Sequence, residues 1–232
     1  VMLLGIVSDS DVAVGAAGAG AHGYQQGIGL VAKLFARDLL DLAHVLEDLV
    51  LDLGGDLKPD FGSLTLSSLN FNKQASVNPP QMIQDLARKM LDNGIKPELE
   101  AFDLGMINYA HYLIRKGLIK PPYYFNLILG NIACAQANLL NLGLMIRELP
   151  DNSIWSVGGI GGHQLQMNAM SIVAGGGVRI GLEDNIFFDA EREIPATNRM
   201  LVERILKIAT AMGRKPYTQK EARAVLGVER RP

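Results

Sequence analysis

Short β-prone runs at 63–69, 98–103, 123–129, 154–157 and 178–182 alternate along this chain with stretches of helical periodicity at 80–91, 106–116, 132–147 and 164–173. A further helix is expected at 197–212, with Thr197 or Asn198 as its cap and Gly213 as its stop, and a short one at 219–226. Successive strand–helix units imply parallel strands joined by right-handed crossovers, which a doubly wound sheet and a (β/α)8 barrel both satisfy. The polar positions separate the two. Glu98 and Glu100 alternate within one strand candidate, while Ser68 to Asn70, Asn126, Ser156 and the pair Glu183 and Asp184 lie in or just beyond others. Polar groups at many strand ends suit a barrel, whose active site is assembled from several strands at one rim. A doubly wound nucleotide fold would want a glycine-rich turn straight after its first strand, and the loop at 15–20 matches neither a Walker loop nor a dinucleotide fingerprint. The expected class is therefore α/β, a (β/α)8 TIM-type barrel in a single domain over 1–232.

Residues 59–232 read as the later strand–helix units of that barrel, whereas 1–58 read as irregular or divergent. The N-terminal segment shows one strand-like run at 2–7, then the glycine- and alanine-rich loop, then an apolar stretch at 30–53 with interspersed Asp. Three strands with their helices do not fit there, so the barrel is incomplete or altered at this end.

At 232 residues and 48% hydrophobic, the chain can bury a sizeable core. A net charge of -2 supplies no electrostatic reason to expect nucleic acid or an anionic membrane as partner. The one cysteine, Cys134, precludes an intramolecular disulfide framework and reads as a small buried hydrophobe. With no basic leader and no membrane span expected, the setting is cytoplasmic.

The stretch at 175–185 concentrates the chemistry. Arg179 and Glu183 flank three residues, and Asp184 follows, so a strand ending here brings a cation and two carboxylates to one rim. Either a site or a structural ion pair results. The glycines at 175, 176, 177 and 181 would leave room for a ligand to approach the backbone.

Seven motifs occur in order: SLTLSSLNF at 63–71, PELEAFD at 97–103, YFNLILGN at 124–131, WSVGGIG at 155–161, QLQM at 164–167, VRIGLEDN at 178–185 and ATN at 196–198. Over roughly residues 58–228 the chain thereby resembles the β-keto acid cleavage enzymes, the zinc-dependent family that includes the 3-keto-5-aminohexanoate cleavage enzyme. The resemblance implies a barrel that takes a β-keto acid and acetyl-CoA to acetoacetate and a new acyl-CoA by a Claisen-type exchange. It implies zinc held by a His-x-His pair and by Glu183, and a catalytic pair of Asp184 and Arg179. It also implies that Glu100, or else Glu98, meets the variable part of the keto acid, with Ser68 and Asn70 near the substrate carboxylate; separately, the protein is expected to be a homo-oligomer.

The four histidines, His22, His44, His111 and His163, are isolated, so this sequence carries one of the zinc ligands, Glu183. Three readings stay open: an acyl-exchange enzyme, an inactive barrel remnant that acts through association, and a metal-independent aldolase- or lyase-like barrel using Arg179, Asp184 and Glu100.

Overall fold

The computed structural model describes residues 3–4 and 59–228. Eight strands appear among them: β1 (Leu3–Leu4), β2 (Phe61–Thr65), β3 (Leu69–Asn70), β4 (Ala75–Ser76), β5 (Lys96–Ala101), β6 (Tyr123–Leu129), β7 (Ser153–Gly159) and β8 (Gly177–Arg179). The helices are α1 (Pro80–Asp92), α2 (Leu104–Arg115), α3 (Leu139–Arg147), α4 (Gln164–Ala174), α5 (Asn198–Ala211) and α6 (Gln219–Leu226). A parallel sheet runs in the order β1-β8-β7-β6-β5-β2, and β3 with β4 forms a separate antiparallel pair. Each strand from β6 to β8 lies beside its predecessor in the sheet, β5 lies beside β2, and among the described residues the first strand pairs with the last. That is the α/β barrel type, in which the sheet closes between its first and last strands.

Helix boundaries follow local chemistry. Asp103, Asn138 and Thr197 accept backbone N–H groups of the first turns of α2, α3 and α5, and α1 opens on Pro80, which has no N–H to leave unsatisfied. The helical stretch expected from 132 begins instead at Leu139, because Asn131 and Gln136 spend their side chains on local backbone bonds. Cys134 sits in that turn, half-buried with a free thiol.

Strand parity divides the sheet into two faces. Leu64, Leu99, Phe125 and Val157 are buried against Ile83, Leu86, Ile107, Leu113, Met145 and Met167 of the surrounding helices. On the opposite face the registers align Ser63, Glu98, Tyr124 and Ile154 in one layer and Thr65, Glu100, Asn126, Ser156 and Gly177 in the next. Arg179 shares this second face one layer further on. The barrel-side face is thus polar where the helix-side face is apolar.

The glycines around β8 serve the fold. Gly175 ends α4 in the left-handed region, at φ 95°. A Cβ on Gly176 would come within 1.9 Å of the Trp155 ring. Neither glycine is explained by ligand access. The expected strand at 178–182 stops at Arg179, which leaves Glu183 and Asp184 on the turn beyond it.

Candidate active site

Arg179 is the hub. Its side chain comes off the end of β8, 5% exposed, and its stem lies over Gly158, where a Cβ would approach the Arg179 Cδ to 3.4 Å. Nη2 donates to Glu183 Oε2 at 2.6 Å, Nε lies 3.4 Å from Asp184 Oδ2, and Nη1 lies 3.7 Å from Glu100 Oε1. Glu100 also accepts from the Thr65 hydroxyl at 2.6 Å. Between this layer and the one below it, Asn126 Nδ2 donates to Glu98, and the Tyr124 hydroxyl lies 3.2 Å from Asn126 Oδ1 and 3.1 Å from Ser156 Oγ.

Three carboxylates therefore surround one buried guanidinium, with Glu98 a further acid nearby; Arg179 and Asp184 are closed to water, whereas Glu183 is partly exposed. The imbalance shows in their acidities. Burial raises Glu98 to about 7, with Glu100 adding repulsion and Arg179 opposing. Burial likewise raises Asp184 to about 6 against the pull of Arg179. Burial alone would lower the Arg179 guanidinium, but Asp184, Glu183 and Glu100 together push it above its ordinary value. The Tyr124 phenol is raised by burial and by Glu98. Arg179 thus stays cationic, and Asp184 is a carboxylate whose conjugate acid titrates close to neutral pH, the range in which a general base works best.

The structure brings Glu100, Arg179, Glu183 and Asp184 together as the charge pattern suggested. Ser68 and Asn70 lie on the exposed loop and hairpin beyond β2; Ser68 Oγ accepts from the Asn78 N–H, and the Asn70 carbonyl accepts from Asn131. Thr65 and Tyr124 join the network unannounced, because their part depends on cross-strand register that no local pattern displays. Among the described residues the zinc donor set does not assemble. Among the described residues no group of three His, Cys, Asp or Glu side chains could hold a metal ion. Glu183 has one oxygen bonded to Arg179, and His111 Nε2 lies 2.9 Å from the Glu148 carbonyl. His22 and His44 lie outside the described residues.

A parallel sheet of the barrel type thus carries a guanidinium and acidic groups at its strand ends. The beta-keto acid cleavage enzyme family profile matches residues 33–228, and this chain belongs to that family. It is 37% identical over 176 residues to the 3-keto-5-aminohexanoate cleavage enzyme of Fusobacterium nucleatum, covering 75% of this chain and 64% of that protein. It is 33% identical over 192 residues to the 3-dehydrocarnitine:acetyl-CoA trimethylamine transferase of Rhizobium meliloti, covering 82% of this chain and 60% of that protein. The chain thus spans less than two thirds of these relatives' length. The solved complex of ObcA with oxaloacetate has a similar fold, at a TM-score of 0.60 and 18% identity over 74% of this chain and 46% of that one.

Proposed function

We propose that this protein cleaves β-keto acids by exchange with acetyl-CoA, giving acetoacetate and a new acyl-CoA. Family membership supports the reaction class, and the single observation that carries the reading is the buried Arg179–Asp184 contact at the end of β8. In this reading Asp184 and Arg179 are the catalytic pair. The Asp184 carboxylate takes a proton from the carbon between the keto and carboxylate groups, and Arg179 offsets the negative charge that develops on the enolate. The enolate carbon attacks the acetyl carbonyl, the C–S bond breaks and CoA thiolate leaves. The thiolate then adds to the original ketone, the older C–C bond breaks, and the acetoacetate enolate recovers the proton from Asp184.

Glu100, held by Thr65 and facing Arg179, borders the space for the keto acid's variable part, and Ser68 and Asn70 serve as donors near the substrate carboxylate. A carboxylate there favours a substrate with a basic group. Zinc would add Lewis-acid polarisation of the keto oxygen, with Glu183 as one ligand. The described residues do not complete a site for it, and the steps above rest on the chain's own side chains.

As part of the same reading, the protein is a single barrel domain in the cytoplasm and a homo-oligomer. The lone cysteine supports the compartment, and the exposed Leu139, Leu140 and Val173 on α3 and α4 support the association. No described helix is long and apolar enough to cross a membrane. The test is acetoacetate release from β-keto acids and acetyl-CoA, measured on this chain and on the longest polypeptide its gene encodes. The bond between Glu183 and Arg179 favours a second reading, an inactive barrel that only associates; it predicts no acetoacetate from either polypeptide.

A further inference from the structure

Two of the sequence motifs, QLQM at 164–167 and ATN at 196–198, contribute no side chain to the Arg179 cluster. Gln164 and Asn198 from these motifs, and Asn168 just after the first, nonetheless lie against the segment that carries it. The register between β7 and β8 ends at Val157 opposite Val178. Beyond that point Asn168 Nδ2 bridges two strands, donating to the Val157 carbonyl at 2.8 Å and to the Arg179 carbonyl at 2.9 Å. Gln164 Nε2 donates to the Gly181 carbonyl at 2.9 Å, and Asn198 Oδ1 accepts the Leu182 N–H at 3.0 Å. The Gly161 N–H, from the loop after β7, donates to the Asp184 carbonyl at 2.6 Å.

From Arg179, which still pairs with Leu4 of β1, to Asp184, the backbone is held by side chains from two helices, by the Gly161 amide and by the Asn185 N–H on the Gly181 carbonyl. These three amides are costly places to put polar groups. Gln164 and Asn168 are 0% exposed and Asn198 is 3% exposed. Each also keeps one buried polar atom without a hydrogen-bond partner: Gln164 Oε1, Asn168 Oδ1 and Asn198 Nδ2. A helix–sheet interface built for stability alone would carry apolar side chains there. A strand continued by its ladder would place successive side chains on alternate faces, whereas Arg179, Glu183 and Asp184 must converge on one point. The amides release the backbone from the ladder and still fix it.

We propose that Asn168, Gln164 and Asn198 are positioning residues that form an amide clasp, setting the turn 180–184 so that Glu183 and Asp184 face the Arg179 guanidinium. The catalytic meaning of the clasp rests on the functional reading above; its structural part does not. The experiment has two readouts, made on the longest polypeptide the gene encodes.

The first is amide hydrogen exchange in Asn168→Ala. The Leu182 and Gly161 N–H groups are expected to exchange at least about tenfold faster, while Leu127 in β6 is unchanged, because the opening is local. Leu86→Ala on α1, away from β8, is the control for general destabilisation and should speed exchange across the sheet. Should Asn168→Ala fail to fold, Asn198→Ala carries the test, read at Gly161. The second readout is acetoacetate release, in which kcat should fall roughly 10- to 100-fold while KM for the keto acid moves less than about threefold. Exchange that rises uniformly in Asn168→Ala as in Leu86→Ala overturns the clasp. Local loosening with unchanged kcat overturns its positioning role. If the unaltered protein releases no acetoacetate, the functional reading falls, and the exchange pattern alone decides whether the clasp exists.

Discussion

Replacing Glu98 by Gln should make the protein more stable at pH 8 and leave it unchanged at pH 4. Glu98 is held at about 7, against an ordinary 4.5, by burial first and by Glu100 second. The native state therefore keeps a proton that the unfolded chain releases, and stability falls as the pH rises from 4.5 through 7. The gap of about 2.5 pH units, at about 1.4 kcal/mol each, corresponds to roughly 3 kcal/mol lost across that window. The amide that replaces the carboxyl would be neutral at every pH and would still offer its carbonyl oxygen to Asn126 Nδ2, the bond that Glu98 makes. The variant should match the wild type below pH 4.5 and exceed it by up to about 3 kcal/mol at pH 8. Equilibrium urea denaturation at pH 4, 6 and 8 measures the difference. A variant with the same pH slope as the wild type, or one less stable at pH 8, would show that Glu98 is ionised in the folded protein at no cost.

Replacing Asp184 by Asn should lower kcat for acetoacetate release by about 10²–10⁴-fold with little change in KM, since the lost carboxylate acts on proton transfer; near-normal turnover would leave only a structural ion pair. Arg179→Lys should also be damaging, because a point charge cannot reproduce three separate contacts from one planar fork, and full activity in that variant would refute the need for its geometry. The rate should rise with pH through about 6 as Asp184 loses its proton, so a profile flat from pH 5 to 8 would assign the base elsewhere. Equilibrium dialysis of this chain against zinc should find no tightly held ion; one zinc per chain, lost in Glu183→Ala, would bring His22 or His44 into the site.

Much of the fold was legible where the pattern was local. The strand at 123–129 and the helix at 219–226 fall where the periodicity put them, because a β-prone run interrupted only by Asn126 and a Thr218–Glu221 capping box leave little choice. The expected strand at 63–69 is two elements, since the chain leaves the sheet after Thr65 and turns into the β3–β4 pair. Its alternating leucines continue past that point and disguise the break. The strand at 178–182 ends early because bonds from distant helices replace its ladder, and sequence-local reasoning cannot see them. Arg179, Glu183, Asp184 and Glu100 could be singled out from charge at strand ends. Thr65 and Tyr124 could not, since each is an ordinary strand residue until register sets it beside a carboxylate.

The two faces of the strands assign different jobs to neighbouring residues. Leu99 is wholly buried against helices, while Glu98 and Glu100 on either side of it meet polar groups; Phe125 stands in the same relation to Tyr124 and Asn126. In the layer that holds Glu100, substitutions can therefore change recognition while the helix-side packing stays in place, whereas Tyr124 and Ile154 one layer below pack with Leu226 and Phe61. A library that varies Thr65, Glu100 and Asn126 together, and holds Leu64, Leu99 and Phe125 constant, would search substrate preference while leaving the helix-side packing alone.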